Sequence, residues 1–212
     1  ASDVYKRQTM MLALIALMAC DDASQPTETP SPQKLFTEMS PGELHTACTT
    51  GQMEQACRLR SQQYYDEDNF EAAIEEIKIS CDRDDPFGCG RYALLRIEQN
   101  PGNKDVKREV RPYLQKGCDA GLGIFCGFYG TVVADLEGDR EAIPILDNTC
   151  LVMRDSISCK NLALILFNGD EEVRDVERGM ALMRPLCDAK DGLACQILAF
   201  QYEARGMPEN FE

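Results

Sequence analysis

The run Cys187-Asp188-Ala189-Lys190-Asp191-Gly192-Leu193-Ala194-Cys195-Gln196-Ile197-Leu198-Ala199 places two cysteines on either side of seven residues and follows them with a large apolar residue beside a small one. A second stretch, Cys118-Asp119-Ala120-Gly121-Leu122-Gly123-Ile124-Phe125-Cys126, has the same form and is followed by Tyr129-Gly130. The chain holds 11 cysteines; with Cys20 set aside, ten fall into the pairs Cys48/Cys57, Cys81/Cys89, Cys118/Cys126, Cys150/Cys159 and Cys187/Cys195. The first members of successive pairs stand 33, 37, 32 and 37 residues apart. A recurring distance of this size belongs to solenoids built from helical hairpins, in which each unit is too small to bury its own apolar face and must stack on its neighbours.

Other residues keep the same period. Four residues before the first cysteine of each pair stand Leu44, Ile77, Leu114, Leu146 and Met183, and eight before it stand Ser40, Ala73, Val110, Ala142 and Gly179. Steps of four and eight put these positions on one helical stripe with the cysteine. After the second cysteine come Tyr92-Ala93, Tyr129-Gly130, Leu162-Ala163 and Leu198-Ala199, whose small members let two helices approach closely; the first unit departs, with Leu59-Arg60 near this place. Each unit therefore reads as a helix ending at the first cysteine, a turn, and a helix beginning near the second. Gly121 and Gly123, Asp191-Gly192 and Asp84-Asp85-Pro86 supply turn chemistry, and Asn100-Pro101-Gly102-Asn103, Glu137-Gly138-Asp139 and Asn168-Gly169-Asp170 separate the units. Pro112 and Pro144, six residues before their cysteines, require that the helix start there or bend.

On these residues the chain resembles the cysteine-rich branch of the Sel-one-like repeat proteins, over roughly residues 36–212. The expected fold is all-α, a right-handed superhelical solenoid of α/α hairpins with one disulfide per repeat. The repeats are expected at 36–68, 69–105, 106–137, 138–174 and 175–209, and Asn210-Phe211-Glu212, which repeats Asn69-Phe70-Glu71, reads as a possible truncated sixth at 210–212.

Ten thiols could in principle bind zinc, but zinc sites favour cysteines two to four residues apart, usually with histidine, and this chain has one His and no Cys-x-x-Cys. A pair seven or eight residues apart instead closes a small loop across a hairpin turn, which suits the disulfides Cys48–Cys57, Cys81–Cys89, Cys118–Cys126, Cys150–Cys159 and Cys187–Cys195. No metal and no cofactor are expected.

An N-terminal export signal would supply the oxidising compartment that such bonds need. Residues 1–8 read as the in-frame translation of a sequencing-library adaptor and are set apart from the fold. Residues 9–19 read as a signal peptide ending in Leu17-Met18-Ala19-Cys20, which resembles a bacterial lipobox with Cys20 as the lipidation site; 20–35 then form a lipid-anchored flexible linker rich in Pro, Ser and Thr. The protein is accordingly expected to be exported, as a periplasmic or cell-surface lipoprotein that meets the membrane only through this anchor. No run of 18 or more apolar residues is present.

The formal charge of −14, from 36 acidic against 22 basic residues, disfavours nucleic acid and attracts basic partners. Catalytic motifs are absent from the folded part. The only Ser-x-x-Lys of penicillin-recognising enzymes, Ser31-Pro32-Gln33-Lys34, falls in the Pro-rich linker, without the Ser-Asp-Asn or Lys-Thr-Gly that would accompany it. Asp82, Asp84 and Asp85 lack the glycine and terminal glutamate of a calcium loop and read as a solvated acidic turn; His45 reads as a surface residue. Tyr64, Tyr65, Tyr92, Tyr129 and Tyr202 could line a groove but read more simply as packing between helices. No catalytic residue is assigned. The expected function is a non-enzymatic, monomeric scaffold of the cell envelope that binds a protein or peptide; the alternative, implied only by the resemblance, is a β-lactamase or penicillin-binding type of hydrolase.

Overall fold

The computed structural model describes residues 38–51 and 53–206. The leader, Cys20, the Ser31–Lys34 motif and the Asn210–Glu212 tripeptide lie outside the described residues. Phe36–Glu212 forms one unit by itself. Among the described residues there are ten α-helices and no strand: α1 Pro41–Thr50, α2 Glu54–Asp66, α3 Phe70–Asp82, α4 Pro86–Gln99, α5 Lys104–Asp119, α6 Gly123–Glu137, α7 Asp139–Leu151, α8 Ser156–Asn168, α9 Val176–Asp188 and α10 Gly192–Ala204. Consecutive helices pack on one another along the whole series, and α6 also meets α8, so hairpins stack on hairpins.

Short polar side chains decide where the helices start. Asn69, Asn103 and Asp175 cap α3, α5 and α9, while Asp85, Asp155 and Asp191 cap α4, α8 and α10; each accepts from backbone N–H groups that the first turn would otherwise leave unpaired. Ser40 and Glu43 form a reciprocal capping box on α1. Ser40 is therefore an exposed cap, outside the apolar stripe that its spacing suggested, and the stripe of the first hairpin begins at Leu44.

The turns share one device. Among the described residues, every hairpin has one residue between its two cysteines with a left-handed backbone: Gly51, Asp84, Gly121, Arg154 and Lys190. Glycine does this without cost, whereas the other three carry some strain. Gly123 and Gly192, expected in the turns, are instead the first residues of α6 and α10. The two hairpins with eight residues between their cysteines absorb the additional one differently. The extra residue precedes the left-handed position at Arg154 and follows it at Gly51.

With the turn closed, the second cysteine is always the fourth residue of its helix. The five bonds Cys48–Cys57, Cys81–Cys89, Cys118–Cys126, Cys150–Cys159 and Cys187–Cys195 span Cα separations of 4.3–4.7 Å. Each ties the end of one helix to the first turn of the next, so it holds the hairpin angle.

The core is shared between hairpins. Leu44, Ile77, Leu114, Leu146 and Met183 are fully buried, as are Ala73, Val110 and Ala142. Ala93 of α4 packs with Val110 and Leu114 of the next hairpin, Val133 of α6 with Leu146, and Ala163 and Phe167 of α8 with Met180 and Met183. In the first hairpin the register places Arg60-Ser61, rather than Leu59-Arg60, at the inward pair. Leu59 is exposed, the Arg60 guanidinium lies 3.6 Å from the centre of the Tyr64 ring, and the Ser61 hydroxyl donates to the Ala73 carbonyl.

Pro112 and Pro144 lie inside α5 and α7, well past their first residues, and Pro185 lies inside α9. The helices pass through them. Each proline lacks one N–H, and the apolar stripe on either side, with Val110 and Leu114 around Pro112, is buried nonetheless. Packing outweighs the local preference for a helix start.

Candidate interaction surface

The acidic side chains that suggested a turn cluster are divided among separate tasks. Asp82 pairs with Lys78 at 2.7 Å and Asp84 with Lys116 at 2.6 Å. Asp85 departs from the expectation of a solvated turn: its side chain is 8% exposed and caps α4 through the Phe87 and Gly88 amides. It also accepts from Arg58 Nε at 3.0 Å and from the Ser80 hydroxyl. Burial alone would raise its carboxyl, but the bonds from Arg58 and Ser80 outweigh that and hold it below the ordinary aspartate value.

The same clamp recurs farther along. Lys160, directly after Cys159, reaches the α10 cap Asp191 at 2.6 Å, and this bond, with the Ala194 amide, lowers the Asp191 carboxyl. In both places a cation one residue beyond the second cysteine holds the carboxylate that caps the corresponding helix of the next hairpin. The identity of the partner, about thirty residues away along the chain, is what periodicity alone left open. His45 is likewise more than a surface residue, since its Nδ1 lies 2.8 Å from an oxygen of buried Glu76 on α3.

The tyrosines pack and pair. Tyr92 is buried edge-on to Tyr113, Tyr65 meets Phe70 edge-on and donates to Glu98, Tyr64 lies under Arg60, Tyr129 faces Arg111, and Tyr202 meets Arg184. The Glu98 contact raises the Tyr65 hydroxyl, and burial raises that of Tyr92 above the ordinary tyrosine value.

One groove, of about 240 Å³, does open on the surface between α6 and α8. Thr131, Asp135, Asn161 and Asn168 supply its polar wall, Leu164 and Ile165 its apolar floor, and Asp139 its rim. Asn161 Nδ2 donates to the Gly127 carbonyl and the Thr131 hydroxyl, and Asn168 Nδ2 to the Leu164 carbonyl. With Asp139 and Asp135 beside them, the latter already held by Lys107, the groove offers acceptors and apolar contact, which is chemistry for a ligand with N–H donors. No signal in the sequence marked it, because its residues come from two hairpins and share only an exposed helix face. Among the described residues no cluster of His, Cys, Asp and Glu is arranged to hold a metal ion.

A stack of disulfide-stapled helical hairpins with an acceptor-lined outer groove defines the class as a helical-repeat solenoid. Within that class the chain is similar to the crystal structure of a Sel1 repeat protein from Oxalobacter formigenes, with a TM-score of 0.59 and 17% identity over 80% of this chain and 69% of that one. This likeness establishes the fold. No protein-family model and no curated protein matches the sequence.

Proposed function

We propose that the chain is a non-enzymatic scaffold of the bacterial cell envelope, exported, acylated at Cys20 and acting as a monomer that binds a basic protein or peptide segment. The observation that carries this reading is the groove between α6 and α8, where Asp135, Asp139 and the two asparagine amides surround Leu164 and Ile165. A segment with Lys or Arg beside an apolar residue matches both halves of that lining, and the charge of −14 draws it in. The Sel1 repeat neighbour supports the scaffold by architecture, and the five disulfides support an oxidising compartment. No helix among the described residues is long and apolar enough to cross a membrane.

The test is a peptide array probed with purified protein, with the groove variant Asp139→Lys/Asn161→Ala in parallel. Basic-apolar peptides are expected to bind with an affinity that falls as salt rises, and the variant to lose at least about tenfold. Equal binding by the variant would remove the groove from the account. Hydrolysis of a chromogenic β-lactam by the pure protein would overturn the non-enzymatic reading.

A further inference from the structure

Eight large apolar side chains stand exposed among the described residues, and five of them occupy one edge of the array, where the hairpin turns lie: Ile124, Leu151, Val152, Met153 and Leu193. Gly123 and Asp155 adjoin, since a Cβ on the glycine would fall 3.1 Å from that of the aspartate, and Lys160 on α8 reaches Asp191. The starts of α6, α8 and α10 therefore follow one another along this edge. The fourth turn is the extreme case, with Leu151 60% and Val152 73% exposed. At the corresponding place the other hairpins carry Thr49-Thr50-Gly51, Asp82-Arg83-Asp84, Asp119-Ala120-Gly121 and Asp188-Ala189-Lys190. Three consecutive apolar side chains in a turn with an added residue contribute nothing to the core.

The charges beside them are of two kinds. Arg58, Lys116, Lys160 and Arg178 are held by carboxylates. Arg154 and Lys190, the left-handed residues of the fourth and fifth turns, are exposed, and their side chains make no hydrogen bond or ion pair among the described residues. We propose that this edge rests on a phospholipid surface, with Leu151, Val152 and Met153 entering the boundary between headgroups and acyl chains and with Arg154 and Lys190 meeting phosphate groups. The proposal rests on the reading of Cys20 as the acylated residue.

Charge complementarity selects this occupant. A strongly basic or strongly acidic protein would meet like charge there, because Arg154 and Lys190 stand among exposed Asp119 and Asp188, whereas a zwitterionic headgroup offers a partner to each sign. The net charge of −14 opposes a strongly anionic bilayer, so a zwitterionic surface, which offers phosphates without a net field, is the better match. Connection is no obstacle, because the twenty residues between Cys20 and Pro41 can extend to at most about 70 Å. The edge would then fix which side of the anchored array faces the bilayer and leave the α6–α8 groove for a partner.

The chain contains no tryptophan, so a single one reports from its own position. The experiment uses the full chain with Cys20→Ser, which removes the acyl anchor, and with Val152→Trp; Phe200→Trp, at an exposed place on the body of α10, is the control. Each is mixed with phosphatidylcholine vesicles containing brominated acyl chains. The expected result is a blue shift and at least twofold quenching for the reporter at position 152, with the control unchanged. With the reporter moved to Met153→Trp, adding Leu151→Asp/Val152→Asp is expected to lower vesicle co-sedimentation at least tenfold, and Arg154→Glu/Lys190→Glu to lower it severalfold, with circular dichroism unaltered.

Emission that ignores vesicles overturns the proposal. So does a shift that follows protein concentration without lipid, which would indicate a second copy, or one that needs an envelope protein extract. Peptide capture by the groove, measured on the same variants, separates failure of this edge from failure of the scaffold reading.

Discussion

The contact between the first and second hairpins and the contact between the second and third follow one repeat but differ in the balance of forces that holds them. At the first, Tyr64 and Tyr65 of α2 pack beside Ala73 and Ile77 of α3, and polar groups also span the gap. Arg58 reaches Asp85, His45 reaches Glu76, and Arg83 donates to the Thr49 carbonyl at the end of α1. Arg60 Nε and Glu76 Oε1 are buried there without a hydrogen-bond partner, which costs stability. At the second, the Phe125 ring fills the space between two glycines. A Cβ on Gly90 of α4 would fall 2.5 Å from the ring and one on Gly117 of α5 2.6 Å from it, while Phe87 meets it edge-on at 5.5 Å. A helical repeat thus needs a complementary neighbour, but either charge or shape can supply the complement. The two respond to different perturbations.

The sharpest way to break this comparison is Phe125→Ala. It should cost about 3–5 kcal/mol, because the side chain is fully buried and rigid backbone on both sides cannot close over the cavity. Hydrogen exchange is expected to quicken in α4, α5 and α6 while α1 and α2 change little, as nearest-neighbour coupling in a linear array requires. Uniform acceleration along the chain would show that the hairpins unfold as one cooperative block.

Removal of one staple comes next. Cys118→Ala/Cys126→Ala should lower stability by about 2.5 kcal/mol, from the chain entropy of a loop this short, as read by denaturant titration of the oxidised protein. Gly130→Ala should cost about 1–3 kcal/mol in the same titration, since its Cβ would meet the Leu146 side chain at 2.5 Å and force α6 from α7.

The polar contact has its own signature in pH. Asp85 has a lowered carboxyl in the folded chain, so its contribution is fully present above the unfolded aspartate value, near about 3.9, and is lost as pH falls through the lower folded value. Denaturant titrations across that acid range should show a flatter limb in Arg58→Ala, whereas Phe125→Ala should lower the whole profile and leave the slope of that limb unchanged. The smallest effect is expected at Arg154→Gly. Relief of a left-handed non-glycine residue, partly offset by the entropy of the new glycine, should stabilise by about 0.5 kcal/mol in thermal unfolding.

Much of the fold was legible because helical spacing is a local property. Steps of four mark one face of a helix whatever its surroundings, so Ile77, Leu114 and Leu146 could be assigned to the interior before any neighbour was known. Local rules also misplaced particular residues for identifiable reasons. Ser40 keeps the interval of eight but precedes Pro41, where the helix begins, so its hydroxyl serves as a cap. Pro112 and Pro144 favour helix starts in isolation, yet the buried stripes around them carry the helices through. Asp85 looks like any acidic turn residue until Arg58 is brought beside it.

The candidate groove and the apolar edge were less visible. Leu164, Asn161 and Asp135 are widely separated members of two helices, and nothing in their spacing says that their exposed sides adjoin. Leu151-Val152-Met153 can be read from the chain as an apolar turn, but its solvent exposure and its alignment with Ile124 and Leu193 follow only from stacking.

By itself the sequence determined the hairpin, its period and the staple across its turn, because each depends on residues close to one another along the chain. Tertiary structure alone decided which carboxylates are clamped, which glycines receive a ring and which apolar side chains stay in water. Those outcomes depend on a neighbour one repeat away, and its approach is set by the packing of whole helices rather than by any local interval.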